Sequence, residues 1–115
     1  MQALDLNQLL ATTEKTHQSW LEFLRVPALS MGVYRLKAGQ LDQQRPHSED
    51  EVYYVLKGKA WFRSGEERLS VGPGSLIFVE RFAEHRFYDI AEDLTVLVFF
   101  APAEGSLKDK SQARS

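Results

Sequence analysis

The amino-acid sequence reads as an all-β protein, an antiparallel sandwich or barrel preceded by one short helix. Three observations lead there. Between Leu29 and Ala101, short runs rich in Val, Ile, Phe and Tyr alternate with turns of Gly, Pro and charged residues, the pattern of strands and tight connections. About eight such runs follow one another at this spacing. The stretches between them are too short for crossover helices, so neighbouring strands must pair antiparallel. Closing such strands into a barrel or a two-sheet sandwich removes or shortens exposed edges.

At the N-terminus, Leu6, Leu9, Leu10 and Thr13 fall at helical spacing after Asp5, a suitable N-cap with Gln8 three residues on. The spacing predicts an amphipathic helix over about residues 5 to 16 that covers the open end or side of a sheet. His17 closes it where the helix dipole favours an imidazolium, a structural position rather than a chemical one. From Ser19 to Leu24 the pattern alternates around Trp20 and Phe23 and stops at Pro27, which reads as an edge strand because proline cannot donate to a ladder. The strands expected next are Leu29 to Leu36, Asp42 to His47, Glu51 to Leu56, Ala60 to Arg63, Arg68 to Val71, Ser75 to Val79, His85 to Asp89 and Leu94 to Ala101. Ser48, Glu49 and Asp50 suit a turn. Gly58-Lys59, Ser64-Gly65-Glu66 and Gly72-Pro73-Gly74 are hairpin or corner signals. The organisation is thus a helix and edge strand over residues 1–28, a barrel over 29–103, and a frayed polar tail over 104–115.

Composition limits the function. A chain of 115 residues with 43% apolar content is one domain with enough material for a core. Its 14 basic and 16 acidic residues are mixed along the chain and leave a formal charge of -2, so nothing points to nucleic acid or an anionic membrane. There is no cysteine, which excludes disulfides, thiolate nucleophiles and sulfur-ligated metals; a metal would be held by imidazole and carboxylate. The first thirty residues lack a signal-peptide pattern and no run approaches the ~18 apolar residues of a membrane span. A cytoplasmic protein is expected.

The segment from Gly39 to Gly58 carries the chemistry-bearing residues. If His47 and Glu51 share an ion, the chain must turn between them, since four strand residues would separate them by roughly 13 Å. Gly39, His47, Glu51 and Gly58 match the first motif of the cupin superfamily, and the chain resembles that family. The motif runs glycine, five residues, His-x-His, three or four residues, Glu, six residues, Gly. Arg45 occupies its first histidine slot. Gly74 and His85 meet the second motif, while Glu80, Phe82 and Asp89 stand where the family has proline, glycine and asparagine. Residues 59–73 form a spacer similar to that of compact microbial cupins. The resemblance covers about residues 29–101 and implies a jelly-roll barrel, the double-stranded β-helix, in which His47, Glu51 and His85 converge on one ion.

Two imidazoles and a carboxylate form a facial set that leaves coordination positions open. Such a set suits Fe(II) first, with Mn, Ni, Co, Cu or Zn as alternatives. Arg45, two residues before His47 on the expected strand, should point into the same mouth. There it either pairs with Glu49 or Asp50 or grips an anionic substrate. Gln44 or Glu49 can fill the vacated ligand position. Tyr53 and Phe87, each two residues beyond a ligand, are expected on the pocket wall or in the core. Glu49, Tyr53 and Glu80 are the available general bases. The implied function is a metal-dependent enzyme acting on a small molecule, dioxygenase-like in the first instance. The alternatives are an isomerase or lyase, and a non-catalytic ligand or metal-binding module. The edge strand suggests a homodimer.

Overall fold

The computed structural model describes residues 1–107. It contains α1 (Leu6–Thr16), β1 (Trp20–Val26), β2 (Leu29–Leu36), β3 (Asp50–Ser64), β4 (Glu67–Val71), β5 (Leu76–Val79) and β6 (His85–Ala101). The helix begins where the sequence placed it, with the Asp5 carboxylate accepting from Asn7 N at 3.0 Å. It ends at His17 in the left-handed conformation, φ 56°. β1 and β2 form a hairpin through Pro27 and Ala28, with Val26 opposite Leu29. β1 pairs only with β2 and is an edge of the sheet.

The long strands β3 and β6 are the backbone of the fold. Each replaces two of the strands expected from sequence. The first part of β3 pairs with β5 on one side and with the second part of β6 on the other. Its later part pairs with β4 and with the start of β6. Between them the β3–β6 register slips three times, around Val55, Lys57, Lys59 and Trp61, and such bulges bend strands from one sheet into the next. The two strands therefore wind as a double ribbon through a β1–β2–β6–β3–β5 sheet and a β4–β3–β6 sheet, a double-stranded β-helix. Gly58 is at this bend, not at a hairpin tip. Its φ is +102°, and a Cβ there would lie 2.4 Å from the Asp93 carbonyl oxygen, so no other residue fits the crossing without a shift.

The expected strand Asp42 to His47 does not form a ladder. Residues 39–47 do run antiparallel beside 82–90, held by Gly39 N to Ile90 O at 2.9 Å and Phe82 N to His47 O at 2.7 Å. In the middle, Phe87 N donates to the Asp42 carboxylate at 2.9 Å instead of to a backbone carbonyl, and Pro46 has no N–H to give. Ser64-Gly65-Glu66 and Gly72-Pro73-Gly74 do make the β3–β4 and β4–β5 turns. The barrel interior is filled by Tyr53, Val55, Phe62, Val71, Phe87, Leu94, Val96, Val98 and Phe100, all nearly inaccessible. Residues 104–107, expected as the start of a frayed tail, are docked: Gly105 N and Leu107 N donate to the buried Glu49 carboxylate at 3.0 and 3.3 Å. Residues 108–115 of the expected tail lie outside the described residues.

Candidate metal centre

His47, Glu51 and His85 meet. The chain bends at Ser48 and Glu49 before β3 begins. This returns Glu51 to His47, with Nε2 to Oε1 at 4.0 Å, while His85 at the start of β6 places its Nε2 3.1 Å from the same oxygen. One ligand atom from each residue lies within 4.8 Å of the others. Donors about 2.1 Å from a common ion stand ~3 Å apart at right angles and ~4 Å apart when opposite; the 3.1 and 4.0 Å separations from Glu51 Oε1 fall in that range, and the widest spacing of 4.8 Å needs the two rings to draw in by less than about 1 Å to share one cation. Glu51 is 2% exposed, and its Oε1 has no hydrogen-bond partner. A buried carboxylate oxygen without a donor, facing two imidazole nitrogens, is a site made for a positive charge.

The ring nitrogens are held in place. His85 Nδ1 is 2.8 Å from the Ala83 carbonyl, so the proton belongs on Nδ1 and the Nε2 lone pair faces Glu51. Burial disfavours an imidazolium at His85. The Glu51 carboxylate beside Nε2 and the Ala83 carbonyl beside Nδ1 outweigh burial by favouring a second proton, on Nε2, where a cation would otherwise face Oε1, and the group is held above its ordinary value. Burial pushes His47 below its ordinary value, against the pull of Glu51. The two rings are 5.7 Å apart, and His47 stands edge-on to Phe100 at 4.9 Å.

A hydrogen-bonded chain supports the ligands. Tyr53, wholly buried, places its hydroxyl 3.0 Å from His85 Nε2 and donates to Gln44 Oε1 at 2.8 Å. Gln44 Nε2 donates to Asp42, which also accepts from the Tyr34 hydroxyl at 2.7 Å. Burial, with the nearby carboxylates, raises both tyrosines above their ordinary values, so both remain neutral donors near neutral pH. Sequence reasoning missed Tyr34 and Asp42. It also missed Glu104, whose carboxylate is 3.6 Å from His47 Nδ1. Burial and the carboxylates of Glu22, Glu51 and Glu49 raise Glu104 above the ordinary range, against Arg25. No motif marks Glu104; it arrives because Glu49 holds the two amides that follow it.

His47 and Glu51 open onto a cavity of ≈160 Å³ lined also by Trp20, Tyr34, Val98 and Phe100 together with Gln44, Glu104 and Tyr53. Gly32 makes room for its wall, because a Cβ there would come within 2.2 Å of the Trp20 ring. A larger open groove of ≈1110 Å³ between residues 39–44 and 84–90 includes His85 but neither His47 nor Glu51, so the chemistry belongs to the small cavity. Tyr53 is on its wall. Phe87 is not; it packs behind Tyr53, with ring centroids 5.1 Å apart, as a core residue. Arg45 is exposed, is not among the cavity-lining residues and makes no ion pair among the described residues. The strand alternation that would aim it inward is absent. Of the two residues expected in place of the missing histidine, Gln44 lines the cavity, whereas Glu49 has its oxygens on Ser48, Gly105 and Leu107.

The left-handed residues of the second motif are also in place. Phe82 (φ 64°) and Asp89 (φ 46°) occupy the positions where the sequence pattern has glycine and asparagine, residues that tolerate that conformation. The fold is thus a double-stranded β-helix with two histidines and a glutamate gathered at its mouth, a donor set that could hold a metal ion. The cupin domain model matches residues 32–100, and this chain belongs to that family. An uncharacterised protein of Streptomyces coelicolor is 42% identical over 104 residues, covering 90% of this chain and 99% of its own length. The crystal structure of TT1209 from Thermus thermophilus is 28% identical with a TM-score of 0.68, covering 90% of this chain and 99% of that one. The DMSP lyase DddQ of Ruegeria pomeroyi is 25% identical with a TM-score of 0.62 over 66% of this chain, which spans 39% of the lyase.

Proposed function

We propose that this chain is a metal-dependent enzyme acting on a small molecule, with one divalent transition metal held by His47, Glu51 and His85. The observation that carries the reading is the buried, unpartnered Glu51 Oε1 between two imidazole nitrogens at the wall of a cavity. Iron(II) suits this ligand set first, with Mn, Ni, Co, Cu and Zn sharing its donors. When bound, the metal supplies Lewis acidity or, if redox active, electrons for dioxygen.

The chain's own residues set what reacts. The cavity has the volume of about five water molecules and is well below the ~300 Å³ of common small-molecule sites, so it takes a compact substrate or one end of a longer one. Trp20, Val98 and Phe100 exclude water from one side. Tyr53 orients His85 and presents a hydroxyl to the cavity; Glu104 can hold a proton beside His47. No Lys or Arg lines the cavity among the described residues, so an anionic substrate finds no basic side chain there.

A dioxygen-dependent oxidoreductase is the first reading. A lyase or isomerase is the second, supported by Tyr53 and Glu104, two proton-handling groups at the cavity, and by the likeness to a DMSP lyase. A cytoplasmic setting without nucleic-acid or membrane partners fits the balanced charge; no helix among the described residues is long and apolar enough to cross a membrane. The test is turnover of a panel of small alcohols, acids and betaines by the Fe(II)- and Mn(II)-loaded protein, under air and under nitrogen. Oxygen uptake coupled to product supports the first reading, and product formed under nitrogen supports the second. Metal binding with no turnover in either atmosphere overturns the enzyme reading in favour of a binding module.

A further inference from the structure

The inward faces of the strands serve the core and the site, and the outward face of the β4–β3–β6 sheet serves neither. Strand register sets three rows across that face. In the first, Arg68 of β4 is opposite Arg63 of β3, and Arg63 is opposite Arg86 of β6. The second is Ser70, Trp61 and Tyr88. In the third, Lys59 is opposite Glu92. That last pair is the opposite-charge arrangement that stabilises a sheet, whereas like charges directly opposite one another destabilise it. The arginine row sets two such repulsive contacts side by side.

No acidic side chain relieves them. Arg63, Arg68 and Arg86 are exposed, and none of them makes an ion pair among the described residues, although Glu66, Glu67 and Glu84 stand at the same end of the sheet. Arg63 reaches only a backbone oxygen, with Nη2 3.4 Å from the Gly65 carbonyl. A chain with a formal charge of -2 thus carries three adjacent, uncompensated guanidiniums. Neighbouring strands are about 4.8 Å apart, so these long side chains can close on one anion, and each guanidinium offers phosphate two parallel N–H donors. The aromatic row narrows the class of anion. Trp61 is 44% exposed, and its ring lies 6.4 Å from that of Tyr88 with the planes tilted by 32°. It stands two residues from Arg63 on the same face of β3, about 7 Å along the strand.

The geometry points to a nucleotide site on this face, with the base against Trp61 and Tyr88 and the phosphates on Arg63, Arg86 and Arg68. A base stacks on an exposed indole whatever its identity, because every base has a π-face, and the sugar bridges the distance from the aromatic row to the arginines. Arg63, Arg86 and Tyr88 also border the open groove of ≈1110 Å³, whose other charged lining residues, Asp42, Glu66, Glu84 and Asp89, are acidic; the phosphates are therefore confined to the arginine rim. Lys59 already faces Glu92, so the uncompensated row is one residue deep, which suits one nucleotide and not a polymer whose phosphates repeat along the strand. None of the three arginines, nor Trp61 or Tyr88, lines the metal cavity, and the proposal does not rest on the metal or on the reaction.

The test is isothermal titration calorimetry of the full, untagged, metal-free chain with ATP, tripolyphosphate, adenosine and a twelve-nucleotide single strand, in buffer without magnesium. Wild type should bind ATP more tightly than tripolyphosphate and adenosine hardly at all. Arg63→Ala/Arg86→Ala should weaken ATP about 10-fold or more, with Tm unchanged or raised because two like-charge contacts are gone. Trp61→Ala should weaken ATP about 5-fold or more and leave tripolyphosphate unchanged, and Arg81→Ala, an exposed arginine outside the row, should match wild type. No ATP binding by wild type at 1 mM overturns the proposal, as does ATP affinity that the double variant retains. Equal affinity for ATP and tripolyphosphate overturns it in favour of an inorganic-phosphate site, and a single strand bound more than tenfold tighter than ATP overturns it in favour of a nucleic-acid face. If the double variant fails to fold, Arg68→Ala reads the same row from β4 and must also weaken ATP.

Discussion

Glu51→Gln separates what the carboxylate does for a metal from what it does for the fold. In the metal-free chain at a pH where His85 is neutral, one wild-type oxygen is buried without a donor, and an unpartnered buried polar atom costs about 1–3 kcal/mol. The glutamine amide can donate to His85 Nε2 from the same place. Metal-free Glu51→Gln is therefore expected to be as stable as wild type or up to about 2 kcal/mol more so, which is ~8 °C in Tm at ~4 °C per kcal/mol for a chain this size. With metal at 100 times the wild-type Kd, wild type gains about 2.7 kcal/mol, or ~11 °C. Losing an outer-shell partner of a metal site already weakens affinity 10–100-fold, and losing the anionic ligand itself should cost at least 100-fold. The same metal concentration then stabilises the variant by only about 0.4 kcal/mol, ~2 °C. Thermal melts with and without Mn(II) or Zn(II) read both quantities. Equal metal shifts in the two proteins would refute the ligand role. A metal-free variant more than about 2 kcal/mol below wild type would show that Glu51 is a structural anchor instead.

Further outcomes follow from the same geometry. Because His85 is held above its ordinary value, its proton stabilises the metal-free fold below about pH 6.5, and that contribution is lost as pH rises through the raised value. The stability gap between wild type and His85→Gln should therefore narrow from pH 6 upward in urea melts, and a gap that widens contradicts the assignment. Metal binding near pH 6 should release about one proton, measurable by calorimetry in buffers of different ionisation enthalpy. Gly32→Ala drives a methyl into Trp20 and should cost about 1–3 kcal/mol with a shift in tryptophan emission; unchanged emission would place Trp20 elsewhere. Phe82→Gly relieves a left-handed backbone in a side chain that is 68% exposed and should stabilise by about 1 kcal/mol, read as a rise in Tm. Glu49→Gln should cost about 1–3 kcal/mol and open residues 104–107 to proteolysis, and intact resistance would deny the clamp.

The fold class was legible because alternation and turn residues report strands directly, and the meeting of His47, Glu51 and His85 because fixed spacing ties them to a barrel mouth. What escaped the sequence has local physical causes. A glycine that allows two strands to cross looks the same as one that ends a hairpin, so Gly58 divided β3 into two expected strands. Asp42 and Pro46 lie in an apolar-polar pattern that reads as a strand, yet the Asp42 side chain takes the Phe87 N–H from the ladder. The inward aim expected of Arg45 depended on that ladder. Period two placed Tyr53 and Phe87 on the inner face correctly but says nothing of depth, and depth makes one a cavity wall and the other core. Glu104 has no local signal at all, since a buried carboxylate far back in the chain decides where it stands.

The central claim is that two imidazoles and one carboxylate hold a single cation. It is tested most directly by elemental analysis of untagged protein after equilibrium dialysis against Fe(II), Mn(II), Ni(II) and Zn(II), with His47→Ala and His85→Ala alongside. About one ion per chain in wild type and little in either variant is the expected result. Stoichiometric metal in both variants, or none in wild type under any of the four ions, would contradict the assignment.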